Sequence, residues 1–235
     1  MTVSGDTLMR KNINYEQLSQ CSLFHGIPAS EIEAILANIR YSVKEFPKGE
    51  TVFQLFDEAG QIVLVLDGKV RMQKIFPGGN TLPVSIGERG TLLGQAAVFS
   101  SQKMYPCELV TLEPSVLLFF DRRNILKLLH SDDRILEHFI SILSSAAFHL
   151  QTRIELLSYS GIQQKAAFYL LSASARRNSR SIPIPGSITN WANDINVSRT
   201  SLHRELRKME AAGLIRIEKS SITILEEEQL WRILE

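Results

Sequence analysis

Residues 132–159 read DDRILEHFISILSSAAFHLQTRIELLSY, and the reading of the whole chain turns on this stretch. Its apolar or aliphatic-stemmed residues fall at Leu136, Phe139, Leu143, Ala146, Leu150, Arg153 and Leu157, in alternating steps of three and four. That spacing is the a/d pattern of a helix that pairs with another helix. Ile135, Ile142, His149 and Leu156 form a second column seven apart, which widens the stripe beyond a thin seam. No Pro or Gly interrupts the run before Gly161. One helix of about 27 residues, roughly 40 Å long, is expected. A wide stripe also suits a buried helix of a large domain. Self-pairing is favoured because the residues before it read as β structure and those after it as a separate helical unit. The expected contact residues are Leu136, Phe139, Leu143, Ala146, Leu150 and Leu157.

The 235 residues suffice for one large or two modest domains, and 44% hydrophobic with 22% charged residues is the balance of a soluble globular protein. The longest purely aliphatic or aromatic runs, Ile62–Leu66 and Val116–Phe120, are far too short to span a bilayer, so no membrane partner is expected. Met1–Asn14 has neither the apolar core nor the cleavage-like site of an export signal. Cys21 and Cys107 are too few and too far apart for a disulfide framework, and read as reduced thiols of a cytoplasmic protein. The charge is unevenly placed. Residues 176–219 carry nine Lys or Arg against four Asp or Glu in a chain of net charge +1, which suggests a polyanion partner for that segment alone.

Before the long helix the texture is mixed. Short helices are expected over Tyr15–Ile39, the second with Ile32, Ile35, Leu36 and Ile39 on one face. Short β-rich runs follow at Tyr41–Phe46, Thr51–Gln54, Ile62–Leu66, Lys69–Phe76, Thr81–Ile86, Cys107–Leu112 and Ser115–Phe120. Turns such as Pro47-Lys48-Gly49, Asp67-Gly68 and Pro77-Gly78-Gly79-Asn80 separate them. Many short strands at this spacing point to an antiparallel barrel or sandwich. Gly90–Met104 breaks the rhythm with a short helical insertion around Leu93–Phe99. An irregular segment on a rigid barrel is where a small ligand would bind. A short helix, Asp121–His130, leads to the long one, which Ser131-Asp132-Asp133 caps. The fold class is therefore α+β, in three parts: a β-barrel over 1–130, the long pairing helix over 131–160 and a further helical unit over 161–235.

The most specific pattern is Thr189–Met209. A first helix buries Trp191 and Ile195, and keeps the small Ala192 where a second helix comes close. Asn196 tolerates the left-handed conformation of a tight turn. Ser198 caps a second helix with inner face Leu202, Leu206 and Met209 and opposite face Arg199, Thr200, His203, Arg204 and Arg207. This is helix-turn-helix spacing, in which the start of the second helix reads base edges in the major groove. Arg199 and Arg204 can contact guanine edges and phosphates together. Residues 213–224, with a turn at Lys219-Ser220-Ser221, read as a β-hairpin and make the module winged. The residues expected at DNA are Thr189, Ser198, Arg199, Thr200, His203, Arg204 and Lys219.

Sensor barrel, long helix and winged helix-turn-helix together resemble the family of the cyclic-AMP receptor protein and the fumarate-nitrate reductase regulator (CRP/FNR). The matching motifs are Phe46-Pro47-Lys48-Gly49-Glu50, Leu66-Asp67-Gly68-Lys69-Val70, Gly90-x-x-x-Gly94-Gln95 and Val197-Ser198-Arg199-x-x-x-x-Arg204. The resemblance implies a jelly-roll, cyclic-nucleotide-binding-like barrel and a homodimer on a near-palindromic, double-stranded DNA operator. It also implies a small-molecule effector and contacts with RNA polymerase. Cyclic-AMP binders of the family carry a Glu after the second glycine and an adjacent Arg-Ser pair. This chain has Gln95 at the first place and Tyr105-Pro106 at the second. A cyclic phosphate needs a charge-assisted donor, which a Tyr does not supply. Cyclic nucleotides are therefore not expected, and the cofactor is left unknown. The expected pocket comprises Gly94, Gln95, Met104, Tyr105 and Cys107. An apolar or organic-acid ligand there, or no ligand at all, is what remains, with haem sensing through His138, His149 or Cys107, or redox sensing on the same architecture, as alternatives. The iron–sulfur branch needs about four cysteines, and this chain has two. Family members that read a TGTGA-like half-site carry a Glu between the two arginines where Thr200 stands, so altered specificity is expected at the pair that Glu would read.

Catalysis is not expected. None of the five His falls in the 41–120 β region, so a metal-bearing cupin lacks its ligands, and no nucleophile elbow, P-loop or His-Glu-x-x-His motif is present. A regulatory subunit using the same barrel without DNA is the other rival.

Overall fold

The computed structural model describes residues 13–76 and 81–235. The export-signal reading over residues 1–12 and the expected turn at 77–80 lie outside the described residues. The chain begins with helices α1 (Tyr15–Leu18) and α2 (Ala29–Leu36). Strands β1 (Ser42–Phe46), β2 (Thr51–Phe53), β3 (Gln61–Asp67), β4 (Lys69–Ile75), β5 (Thr81–Glu88) and β6 (Leu92–Leu93) follow. Then come α3 (Gln95–Phe99), β7 (Glu108–Thr111), β8 (Ser115–Asp121), α4 (Arg122–Ser131) and α5 (Asp133–Ser158). The remainder is α6 (Ile162–Arg177), β9 (Ser181–Pro183), α7 (Ile188–Asp194), α8 (Arg199–Ala211), β10 (Ile215–Ile217), β11 (Ser221–Ile224) and α9 (Glu227–Leu234). It divides into two compact units, residues 1–145 and 146–235, with α5 shared between them. None of the described helices is long and apolar enough to cross a membrane.

In the first unit the strands pair antiparallel in two four-stranded sheets, β1-β8-β3-β6 and β2-β7-β4-β5. No described strand pair joins the two sheets, so the jelly-roll-like form is a sandwich and the closed barrel is corrected to that extent. The continuous apolar runs of β3 and β8 now have a cause. A strand covered on both faces has no polar side to show. Alternate residues Val63, Val65, Leu117 and Phe119 face the other sheet, where they meet Val70 and Leu109. The intervening Ile62, Leu64, Leu118 and Phe120 face the helices, among Phe24, Ile32, Ile125, Leu128 and Ile135. Each such side chain contributes about 1.5–3 kcal/mol by leaving water.

Asp132 Oδ1 accepts from Arg134 N at 2.9 Å at the start of α5. One side of the helix belongs to this unit's core. Ile135 is buried, and so is Phe139, 5% exposed, its ring edge-on to Phe99 with centroids 5.7 Å apart. Ile142 and Leu143 pack against the same core. Of the expected contact residues, Phe139 is therefore closed off inside its own unit, whereas Leu136, Ala146, Leu150 and Leu157 are exposed. The outward side carries Leu136, Ile140, Ala147, Leu150, Ile154 and Leu157, all exposed, with half-buried Leu143 between them. Their steps are again four and three, with Ile140, Ala147 and Ile154 in place of Phe139, Ala146 and Arg153.

The second unit is built around Trp191, Ala192, Ile195, Leu202, Leu206 and Met209, closed by Ala166, Leu170 and Leu171 of α6 and Leu230 of α9. The wing hairpin β10–β11 gains β9 as a third antiparallel strand, Ile222 opposite Ile182. Neither β9 nor α9 is among the elements expected from the sequence.

Candidate nucleic-acid interface and sensor region

The reader module is shaped by caps and one left-handed residue. Ser187 Oγ accepts from Asn190 N at 3.1 Å and starts α7. Asn196 takes φ 56°, which lets Val197 N reach back to Ala192 O at 2.9 Å and turns the chain into α8. Ser198 Oγ accepts from Ser201 N at 3.0 Å and caps α8. The same hydroxyl lies 3.0 Å from Thr200 Oγ1 and 2.8 Å from Ser201 Oγ, so Ser198 orients its neighbours as well as ending the turn. Leu202, Leu206 and Met209 are buried at helical spacing, and this sets the opposite face outward. Thr189, Ser198, Arg199, Thr200, His203, Arg204 and Lys219 are all exposed. Lys219 sits in the wing turn, where Glu218 N donates to Ser221 O at 2.9 Å.

Two acids beneath this face escaped the sequence reading as functional residues. Glu205 Oε1 accepts from Lys208 Nζ at 3.0 Å and Arg204 Nε at 3.3 Å, while Oε2 accepts from Gln163 Nε2 of α6 at 3.0 Å. Glu210 accepts from Ile217 N at 2.8 Å and from Arg207 Nη1 at 2.6 Å, which ties α8 to the wing. Lys208, then Arg204, hold the Glu205 carboxyl below its ordinary range, and for Glu210 the Ile217 N–H and then Arg207 do the same. The only sequence signal was that Glu205 occupies a place where such helices often carry an apolar residue. Trp191, its ring tilted 42° to that of Tyr169 with centroids 4.9 Å apart, keeps a buried Nε1 for which no partner occurs among the described residues.

In the sensor unit the structure brings Gly94 and Tyr105 together. Gly94 takes φ 84° at the start of α3, and a Cβ there would stand 3.1 Å from Gln61 O and 3.5 Å from Tyr105 Cε1. Tyr105 is a structural bolt. Its ring, 5% exposed, stacks on Phe53 at 4.0 Å and 11°. Its Oη donates to Gln61 O at 2.6 Å and accepts from Gln61 N at 3.1 Å. Gln95, next to Gly94 in the chain, has its Oε1 buried with no partner among the described residues. Met104 is exposed on a loop bridged to Glu58. Cys107 is buried, and burial pushes its thiol pKa up against the pull of Lys74. His138 Nδ1 lies 3.1 Å from Leu23 O, and His149 is exposed on α5. No group of three or more His, Cys, Asp or Glu suited to a metal occurs among the described residues.

Burial also raises the pKa of Cys21. Both folded thiols thus hold their proton longer than the unfolded ones, and stability falls as pH rises past the ordinary thiol range. Native protein at pH 8 is expected to resist iodoacetamide at both positions and to react at both once unfolded. Prompt labelling of native Cys107, read by mass, would show that this part of the sensor opens to solvent.

A jelly-roll sandwich bearing a short helix at its Gly-rich break, followed by a winged helix-turn-helix, defines a signal-responsive transcription regulator. Residues 43–132 match the cyclic nucleotide-binding domain and residues 164–233 the Crp-like helix-turn-helix domain. The chain belongs to the CRP/FNR family of DNA-binding transcription regulators, a family of regulators rather than enzymes. Its relatives include the CRP-like cAMP-activated global transcriptional regulator of Mycobacterium tuberculosis, 21% identical over 222 residues that span 92% of this chain and 98% of the relative. The catabolite activator protein of Thermus thermophilus has the same fold, with TM-score 0.53 and 22% identity over 91% of this chain and 98% of that one. CprK complexed with OCPA is similar at TM-score 0.63 and 15% identity, covering 86% and 93%.

Proposed function

We propose that the protein acts as a homodimer on a near-palindromic operator, reading each half-site with the start of α8, and that its sandwich senses a small molecule other than a cyclic nucleotide. The observation that carries the DNA half is the face Arg199, Thr200, His203 and Arg204, wholly exposed on a helix whose other side is core. The Crp-like module sets aside a subunit that never meets DNA. The sensor residues do not fit a cyclic phosphate. Gln95 replaces an acid, and the Tyr105 hydroxyl is engaged at both of its hydrogen-bonding functions by Gln61. Gln95 Oε1 suits a ligand that donates a hydrogen bond. Haem finds weaker support, since His138 is tied to a backbone carbonyl and Cys107 is a buried, protonated thiol. RNA polymerase is the expected partner at the promoter, and 1–130, 131–160 and 161–235 are the proposed functional segments.

Selection from a random duplex pool tests the operator reading. The full chain is expected to select an inverted repeat with half-sites about 10 base pairs apart, centre to centre, or a multiple of that. Arg204→Ala should weaken binding to it by about 5- to 150-fold, the range that one bidentate arginine–guanine pair supplies. Thr200→Glu should move the preferred half-site toward TGTGA. Enrichment of no sequence, or of unmodified TGTGA by the unaltered protein, would contradict the reading at the module or at Thr200 respectively.

A further inference from the structure

Among the described residues, Glu205 is the one acid with hydrogen bonds to both the proposed base-reading arginine and the helix behind α8. Its side chain is 12% exposed, whereas that of Arg204 is 66% exposed. Helical spacing explains the placement. Residue 205 flanks the buried Leu202, Leu206 and Met209, so its carboxylate lies at the margin of the core, where α6 approaches. Gln163 holds one oxygen from α6, and the other receives Arg204 Nε.

The way Arg204 is held matters for recognition. The carboxylate engages the guanidinium at Nε, and no described hydrogen bond engages Nη1 or Nη2. Two N–H groups of an arginine suffice for guanine O6 and N7, and the terminal nitrogens supply them. A free, exposed Arg gives up rotamer freedom when it docks. One anchored at Nε has given up part of it beforehand, and it presents its fork in one direction. The acid also acts against affinity: a negative charge on a DNA-facing helix weakens attraction to every phosphate regardless of sequence. A residue kept only for binding strength would not be an acid here.

We propose that Glu205 is a positioning residue for base reading, which fixes Arg204 relative to α6 and thereby sets discrimination at the base pair Arg204 contacts. The proposal rests on the base-reading role of Arg204 proposed above. Lys208, on the same oxygen at 3.0 Å, steadies the carboxylate and keeps it ionised.

The test compares the full-length protein and its variants on three duplexes: the selected operator, the operator with the Arg204-dependent pair exchanged, and a random sequence. Glu205→Gln should lower the ratio between the first two by about ten-fold, within the range one bidentate contact supplies. Binding to the random duplex should stay equal or grow, because a negative charge is gone. Gln163→Leu, which cuts the tether while leaving all charges in place, should lower the same ratio without raising random binding. In an Arg204→Ala background neither change should alter the ratio further. Melting of each variant is followed alongside, since a merely structural role would lower melting temperature and binding to all three duplexes together. An unchanged ratio in both variants, or an equal fall in the Arg204→Ala background, overturns the proposal. If Arg204→Ala itself alters no base preference, it is the base-reading role that fails, and the role of Glu205 falls with it.

Discussion

Replacing Ile140 and Ile154 together by Asp is expected to yield a folded monomer that no longer holds its operator. Both side chains are outward on α5, 53% and 70% exposed, and neither contributes to a core within the chain. In a two-fold dimer each position occurs twice, so the double substitution places four carboxylates along one apolar seam. Each Ile that leaves water on pairing contributes about 1.5–3 kcal/mol. Each unpaired charge taken into the seam costs several kcal/mol more. The dissociation constant should rise by at least about 1000-fold, each decade being 1.4 kcal/mol. Operator binding should fall with it, because two half-sites are no longer presented together. Sedimentation at micromolar concentration reads the first effect and a mobility shift the second, while circular dichroism should keep its helical signal. Phe139→Ala is the counterpart. Removal of that buried ring costs the first unit about 3–5 kcal/mol, yet leaves the dimer intact below the melting transition. The seam read from sequence predicts the reverse pattern. A dimer that survives Asp at 140 and 154 but not Ala at 139 would restore it.

Gly68→Ala should be the most damaging single methyl in the sensor unit. The residue turns β3 into β4 with φ 88°, in the left-handed region that costs an L side chain about 1–2 kcal/mol. An added Cβ would also lie 2.6 Å from Pro114 O and 2.7 Å from Ser115 Cα, and closer still to Ser115 Oγ. Two of those three are backbone atoms, held by the turn into β8, and cannot swing aside as a flexible side chain would. Overpacking of that kind adds about 1–3 kcal/mol, for a total near 2–5 kcal/mol. Gly49 is the control, with φ 84° and nothing within 4 Å of its virtual Cβ. Only the conformational part applies there. Denaturant unfolding of Gly68→Ala and Gly49→Ala should therefore separate by about 1–3 kcal/mol. Equal losses would mean that the turn yields to the methyl.

The turn around Gly68 and the reader module were legible for the same reason: their signals are local. A serine that caps, an asparagine that accepts φ 56° and apolar residues four apart each act within a few positions of themselves. The β runs announced themselves between Gly and Pro turns, and seven of the strands lie within two residues of their expected ends. What escaped was non-local. Ser181–Pro183 is a strand only because β11 lies beside it and covers Ile182. Residues 227–234 form a short helix whose Leu230 is buried in the core of the second unit. Glu205 depends on a partner 42 residues away, Gln163 of α6, which no local pattern announces.

By itself the sequence determined the order of the parts, the long uninterrupted helix and the exposed basic face of α8. Each depends on composition or on spacing along one element. Tertiary structure alone decided which side of the first half of α5 is covered. Residues 139 and 140 are both apolar, and Leu136, Leu143, Leu150 and Leu157 belong to either seam. Periodicity cannot choose between two stripes one residue apart. The sandwich core took in Ile135 and Phe139 and so left Ile140, one residue on, exposed on the other side of the helix. Tertiary structure likewise decided what Tyr105 does. The sequence showed only that it is not an arginine, and the fold stacked it on Phe53 and closed its hydroxyl onto Gln61, because a buried phenol must find its partners nearby.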